Sequence, residues 1–358
     1  MTRPLRARFD PAAVRHNHSV ARRQAGSARI WSVVKANAYG HGLLRVANAL
    51  ADVAEGFALI ELDGAIALRA AGFRQPILML EGFYEPDELA AFAEFALTPV
   101  LHCRAQVETL LAAALPTRLP VYLKLNTGMN RLGIDAAELA PVLAALKTSG
   151  AVAGITLMTH FADADGERGI GEQWSRFQAL RGVGGYPVCA ANSAALLRYG
   201  ETAGDWVRPG IMLYGSSPCP DTESAAELGL RPAMTLTSEI LAVRELKAGD
   251  RVGYGGIFEA VAPMRIGIVA CGYGDGYPRH APSGTPILVN GRETKTVGRV
   301  SMDKLCVDVT LLPDAGAGAP VTLWGEGLAV DRVAAAAGTI SYELFCALSA
   351  RVPVIESE

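Results

Sequence analysis

The sequence predicts an α/β protein in two parts, a (β/α)8 barrel of the TIM type over residues 8–228 and a mostly β-strand domain over residues 229–358. Three observations predict it. At 358 residues the chain exceeds the ~250–300 at which a single hydrophobic core stops growing. From about residue 10 to 215, short apolar or β-branched runs alternate with helically spaced segments, making about eight strand–helix units. Beyond about residue 230 the runs alternate in polarity and are broken by Gly, Asn-Gly and Asp, which are strand and turn signals. The unit count alone leaves an open doubly wound sheet as a competing layout.

In order, the strand candidates of the first part are "RIWSVV", "GFALI", "PILML", "LTPVL", "VYLKL", "GITLMT", "YPVCA" and "WVRPGIML". Between most of them lie "LLRVANALADVA", "LDGAIALRAAG", "EPDELAAFAEF", "RAQVETLLAAAL" and "DAAELAPVLAALKTSG", whose apolar residues recur at helical spacing. Several stop at Gly or Pro, where a helix ends. In the second part, "MTLTSEILAVRELKAGDRVGYGG", "MRIGIVACGYGDG", "TPILVNGRETKTVGRV" and "LCVDVTLLP" read as strands, with one late helix at "SYELFCALS". The first few residues of the chain are candidates to pair with this second domain.

Composition excludes several function classes. The chain is 50% hydrophobic and 19% charged with a formal net charge of -3, so it lacks the basic footprint of a nucleic-acid binder. "MTRPLRARFDPAAV" has neither the apolar segment nor the cleavage site of a secretory signal, and no apolar run reaches the ~18 residues of a membrane span. The six cysteines are scattered without a C-x-x-C pair, which favours neither a zinc site nor a disulfide framework. A cytoplasmic protein without a metal centre is expected.

In a barrel, reactive side chains gather at the C-terminal ends of the strands. Those ends carry Lys35, then Lys124, Asn126 and Arg131, then His160, then Asn192 and Ser193, and finally Arg208, Gly210 and Ile211 on the last strand. Each has an ordinary reading alone: a lone His at a strand end is more often a satisfied core residue, and a lysine there can snorkel to solvent. Lys35 has a sharper reading as a Schiff-base lysine. That role needs a neutral amine, and burial beside "SVV" moves a lysine in the required direction.

"VVKANAYGHG" resembles the pyridoxal phosphate lysine motif of the alanine racemase family. The resemblance continues in register through "KLNTGMNRLG", "MTHFADAD", "ANSAA", "RPGIMLYG", "VGYGG", "GYGDGYPR", "VGRVSMDKLCVDV" and "SYELFCALSARVPV", and so spans nearly the whole chain. It implies the barrel layout and a pyridoxal 5′-phosphate enzyme that interconverts L- and D-alanine. The product would serve peptidoglycan or alanine catabolism. A broad-specificity amino-acid racemase on the same scaffold is the alternative; less favoured are a non-catalytic cofactor carrier, which would resemble the barrel alone, and a decarboxylase.

Residue by residue, the resemblance implies that Lys35 holds the cofactor as an internal aldimine. Tyr39, Ser193, the backbone of Gly210 and Ile211, and Tyr342 would contact its phosphate, with His160 and Asn192 also lining the cofactor. Arg208 would face the pyridine nitrogen; an arginine stays protonated and keeps that nitrogen unprotonated, which disfavours decarboxylation and transamination. Two bases serve two faces: Lys35 for D-alanine and Tyr254, from the second subunit of a homodimer, for L-alanine. A phenol in water costs about 4 kcal/mol to ionise at pH 7, so positive charge is needed nearby, and His160 linked to Arg208 is the expected source. Arg131 would bind the substrate carboxylate and the cofactor's phenolic oxygen. Met302 and Asp303 would close the substrate site from the partner, with Tyr273 narrowing its mouth. Lys124 corresponds to a lysine that is carbamylated in many members. Here Asn126 stands where an Asp is frequent, which changes the charge balance around that lysine.

Overall fold

The computed structural model describes residues 3–182 and 185–357. Within these, the chain divides into two compact units: residues 15–38 with 42–213, and residues 3–14 with 39–41 and 214–357.

The chain opens with β1 (Arg6–Phe9), which belongs to the second unit. The first unit is a parallel barrel. Its strands are β2 (Arg29–Val33), β3 (Gly56–Leu59), β4 (Ile77–Met79), β5 (Leu97–Leu101), β6 (Leu119–Lys124), β7 (Val152–Met158), β8 (Val188–Cys189) and β9 (Trp206–Val207). Each pairs in parallel with the next, from β2 through to β8, and β2 also pairs with β9. The ring closes between β8 and β9, where Asp205 N donates to Val188 O at 2.9 Å and residues 192 and 208 form a parallel bridge. Several strands are buried along their whole length, as expected where helices cover one face and side chains fill the interior. Helices at Leu43–Ala49, Leu62–Ala70, Glu88–Glu94, Arg104–Ala112 and Ala136–Thr148 occupy the segments with helical spacing. The last run differs from its sequence reading: after Trp206–Val207 the backbone leaves the strand, and Ile211–Tyr214 forms a 3-10 turn. Pro209 contributes to this, because it cannot donate to a ladder.

The second unit is built around β10 (Met234–Leu246). The others are β11 (Arg251–Val252), β12 (Phe258–Glu259), β13 (Met264–Val269), β14 (Pro286–Val289), β15 (Arg292–Val297), β16 (Leu305–Asp308), β17 (Pro320–Trp324) and β18 (Val354–Glu356). The sheet runs β13-β16-β15-β14-β17-β10, and β10 pairs again with β13, closing the ring. Strand β1 lies between β10, antiparallel, and β18, parallel, with Ala7 and Phe9 buried and Arg6 and Arg8 exposed. Two short helices follow, Val330–Ala337 and Ser341–Cys346, one more than expected; the first is the alanine run "RVAAAAG". Among the described residues no helix is long and apolar enough to cross a membrane.

Candidate active site

At the C-terminal end of the barrel, Arg208 is 4% exposed. Its Nη1 donates to Cys189 O (2.7 Å) and Sγ (3.0 Å); its Nη2 donates to Thr159 O (2.8 Å) and Ala190 O (3.1 Å) and meets His160 Nδ1 at 3.3 Å. None of these partners is a carboxylate. Carbonyl dipoles at the ends of β7 and β8 therefore stand in for the water that a guanidinium loses on burial. Its Nε–H donates to no described residue.

An arginine always donates, so His160 Nδ1 must accept, and the imidazole proton sits on Nε2. Burial, then the charge on Arg208, hold the His160 pKa well below its usual range. The positive charge of the pair therefore resides on Arg208, and the imidazole is its neutral member. Thr159 Oγ1 bonds Thr127 Oγ1 at 2.7 Å, and Gln173 on helix Gly171–Arg181 reaches Thr127 Oγ1, His160 O and the amide of Ala162. Thr127, Thr159 and Gln173 fix the chain on both sides of His160; reading strand ends one at a time had no signal for them.

Lys124, at the end of β6, is 7% exposed. Burial, then Arg208 and Arg131, lower its pKa to about 8; Glu81 opposes them and Lys35 adds to the fall. Lys35 itself is half-buried, so the deep burial expected of the first strand's lysine falls on Lys124 instead. Arg131 is exposed and has no hydrogen bond or ion pair to a described residue. The loop before it is held by Asn126, whose Nδ2 donates to Asp135 Oδ1 (3.0 Å) and Asn130 Oδ1 (3.1 Å) and whose Oδ1 accepts from the amides of Gly128 and Asn130.

After Lys35 the backbone makes a single left-handed turn. Ala36, Asn37, Ala38 and Tyr39 have φ of 53°, 53°, 54° and 52°, a conformation costing L-residues roughly 1–2 kcal/mol each. Local bonds hold it: Ala36 N donates to Glu61 Oε1 (2.9 Å), Leu43 N to Asn37 Oδ1 (2.8 Å) and Gly42 N to Asn37 O (2.9 Å). On the last strand's side, Gly210 N donates to Ser193 Oγ at 2.9 Å, which joins two of the expected phosphate contacts, and Ile211 is buried. Asn192 accepts from Ala195 N at 3.0 Å and so caps the helix Ser193–Arg198.

The second unit gathers the remaining residues in two places. Tyr39 stacks on Tyr214 with ring centroids 4.7 Å apart and lies 5.9 Å from Tyr342. Burial raises the Tyr39 pKa above its ordinary value, so its phenol stays a neutral donor. Next to it, Gly40 has φ 76° and an added Cβ would lie 2.1 Å from Phe345 O, so a side chain there is excluded by both conformation and space. Elsewhere Tyr254, on a 3-10 turn, is 70% exposed, and Tyr273 and Met302 are exposed. Asp303 pairs with Arg351 at 2.8 Å.

Comparison with known proteins identifies the family. The family described as alanine racemase, N-terminal domain, matches residues 9–218, and the alanine racemase C-terminal domain matches residues 233–356. An alanine racemase of Nitrosomonas eutropha is 55% identical over 99% of this chain and 99% of its own. The crystal structure of biosynthetic alanine racemase from Pseudomonas aeruginosa superimposes with a TM-score of 0.97 at 47% identity, covering 100% of both chains. That of alanine racemase from Bartonella henselae with covalently bound pyridoxal phosphate gives 0.89 at 26% identity over 99% of each. The chain belongs to the alanine racemase family.

Proposed function

We propose that this alanine racemase works with pyridoxal 5′-phosphate held in the barrel and with active sites shared between two copies of the chain. The observation that carries the reading is the buried Arg208 with no carboxylate among its described partners, beside a Lys124 on which Arg208, Arg131 and Lys35 act together against the single opposing charge of Glu81. Such a site favours a ligand rich in anionic oxygens, and the donor set suits this one. The hydroxyl of Ser193 with the backbone of Gly210 and Ile211 would take the phosphate, together with the phenols of Tyr39 and Tyr342. Asn192 supports this set through its helix cap, and the free Nε–H of Arg208 would meet the ring nitrogen. Lys35 would be the residue bonded to the cofactor. When bound, the group supplies an electron-withdrawing ring that acidifies the substrate Cα–H.

The chain's own residues do the rest. Arg208 never gives up its proton, so it would keep the ring nitrogen an acceptor and limit how far charge spreads into the ring. That favours return of a proton to Cα over side reactions. Arg131, without a partner among the described residues, would clamp the substrate carboxylate. Lys35 Nζ would take or deliver the Cα proton for D-alanine, and Tyr254 Oη would do so for L-alanine from the opposite face. A tyrosine this exposed in one chain fits a role in the site of a second. Met302, Asp303 and Tyr273 would border the substrate from that second copy. A cytoplasmic setting fits, since no disulfide joins the described cysteines.

The test combines absorption with isotope exchange. Purified protein should show a visible band that borohydride fixes onto Lys35 and that Lys35→Ala lacks. Tyr254→Phe should slow Cα hydrogen exchange from L-alanine at least tenfold more than from D-alanine. Equal losses on both enantiomers would refute the face assignment. Mixed dimers of the two variants should regain activity if sites are shared; no recovery would count against sharing.

A further inference from the structure

We propose that Asp275 is a positioning residue that holds the substrate-bordering residues Tyr273, Met302 and Asp303 in place. This rests on the reading above that those three border the substrate. The Asp275 side chain is fully buried. Arg3 grips it with both terminal nitrogens, Nη1 to Oδ1 at 2.5 Å and Nη2 to Oδ2 at 2.8 Å. Arg351 Nε donates to Oδ1 at 2.7 Å and the Gly272 amide to Oδ2 at 2.9 Å. Its backbone carbonyl accepts from Ser349 N at 3.1 Å. Burial pushes the carboxyl pKa up, but the bonds from Arg3, Gly272 and Arg351 together outweigh it and hold the group below its usual range.

What matters is where the two guanidinium groups lead. Arg3 Nη2 also donates to Asp303 O at 3.0 Å. Arg351 Nη2 donates to Asp303 Oδ1 at 2.8 Å and to Met302 O at 3.4 Å. The loops are joined directly as well: Tyr273 N donates to Ser301 O (3.0 Å) and Gly274 N to Met302 O (2.9 Å). A Cβ on Gly272 would lie 2.2 Å from Ser301 O, so the two backbones touch. One carboxylate therefore orients two arginines from opposite ends of the chain, and these arginines fix Met302 and Asp303. Without its charge, two guanidinium groups would be left side by side, free to swing toward solvent or toward Asp303 alone. The edge of the substrate site would loosen while the barrel residues stayed put.

The experiment compares Asp275→Asn, Arg3→Ala and Arg3→Lys holoenzymes by KM and kcat for both alanine enantiomers and by discrimination against L-serine. Asp275→Asn should raise KM about tenfold and lower alanine-over-serine discrimination by a similar factor, with kcat and the cofactor's visible spectrum nearly unchanged. Arg3→Ala should move the same parameters about threefold, and Arg3→Lys should restore part of the loss. Arg3 lies at the edge of the fold, so its variants decide the matter if Asp275→Asn does not fold. Folded variants with unaltered KM and discrimination would overturn the proposal, as would a loss in kcat alone. Met302→Ala separates the two levels. If it changes discrimination while the Asp275 and Arg3 variants do not, the positioning role fails; if it changes nothing, the placement of Met302 at the substrate fails and the positioning role falls with it.

Discussion

Lys124 offers a quantitative test of the barrel electrostatics. Its pKa falls from 10.5 to about 8, first through burial and then through Arg208 and Arg131. At pH 7 that leaves roughly a tenth of the chains with a neutral amine, about 300-fold more than an ordinary lysine would give. The same shift is worth about 3 kcal/mol. The unfolded chain binds more protons than the folded one between pH 8 and 10.5, so stability rises with pH across that window, and below it the folded state carries the full cost of a buried ammonium. Lys124→Met should therefore stabilise the protein by about 3 kcal/mol at pH 7 in CO2-free buffer, and by progressively less above pH 8. The neutral amine is also the form that attacks CO2: its lone pair forms the N–C bond, a proton leaves the nitrogen, and the carbamate anion that results compensates the surrounding cations and can hold Arg131. Urea unfolding of both chains with and without bicarbonate at fixed pH is the assay, with 13C NMR after labelled bicarbonate to see the carbamate. Bicarbonate should stabilise the wild type and narrow the gap to Lys124→Met. Equal stability of the two chains in CO2-free buffer, with no bicarbonate effect and no carbamate resonance, would refute the reasoning.

Other consequences are simpler to check. His18 is buried and burial lowers its pKa to about 4, so the unfolded chain binds the extra proton between pH 6.5 and 4 and stability falls as pH drops through that window. His18→Leu should remove about 2.5 kcal/mol of that acid-side loss, read from urea midpoints at pH 7 and pH 4.5. Gly40→Ala should cost ~2–3 kcal/mol, measured by thermal unfolding, because backbone must move to accept the methyl group. Asn126→Asp would set a second carboxylate against Asp135; a loss of about 1 kcal/mol at pH 7 is expected, and it should vanish when Asp135→Asn is added. A loss unaffected by the second substitution would show that charge is not the cause.

The barrel strands were legible because each is a short buried run, and those runs sit where the ring needs them. Strand ends could be read for the same reason, which is how Lys124, His160 and Arg208 come to the barrel mouth. What each touches could not be read. "ANAY" contains no glycine, so nothing announces four left-handed residues in a row; bonds from Glu61 and Asn37 impose them. Burial of one lysine over another depends on how deep each strand end lies, and apolar neighbours in sequence did not distinguish Lys35 from Lys124. Position alone does not show that Asn192 caps a helix, or that Asn126 ties Asn130 and Asp135 to two loop amides. The alanine run at 330–337 reads as composition until it packs as a helix. Arg3 and Asp275 are separated by 272 positions, beyond the reach of any local pattern.

Strand β1 has a consequence for how the molecule is made. Its neighbours are β10 and β18, so residues 6–9 pair with residues 234–237 and 354–356, which are made much later. The nascent barrel can close while Ala7 and Phe9 still lack their neighbours, and the second unit stays incomplete until the ribosome has released residues 354–356. Loss of residues 354–356 would strip one side from β1 and move the open edge of the sheet from β18 onto it, where other chains could join. Late truncations should therefore be recovered as aggregates more readily than their small size suggests.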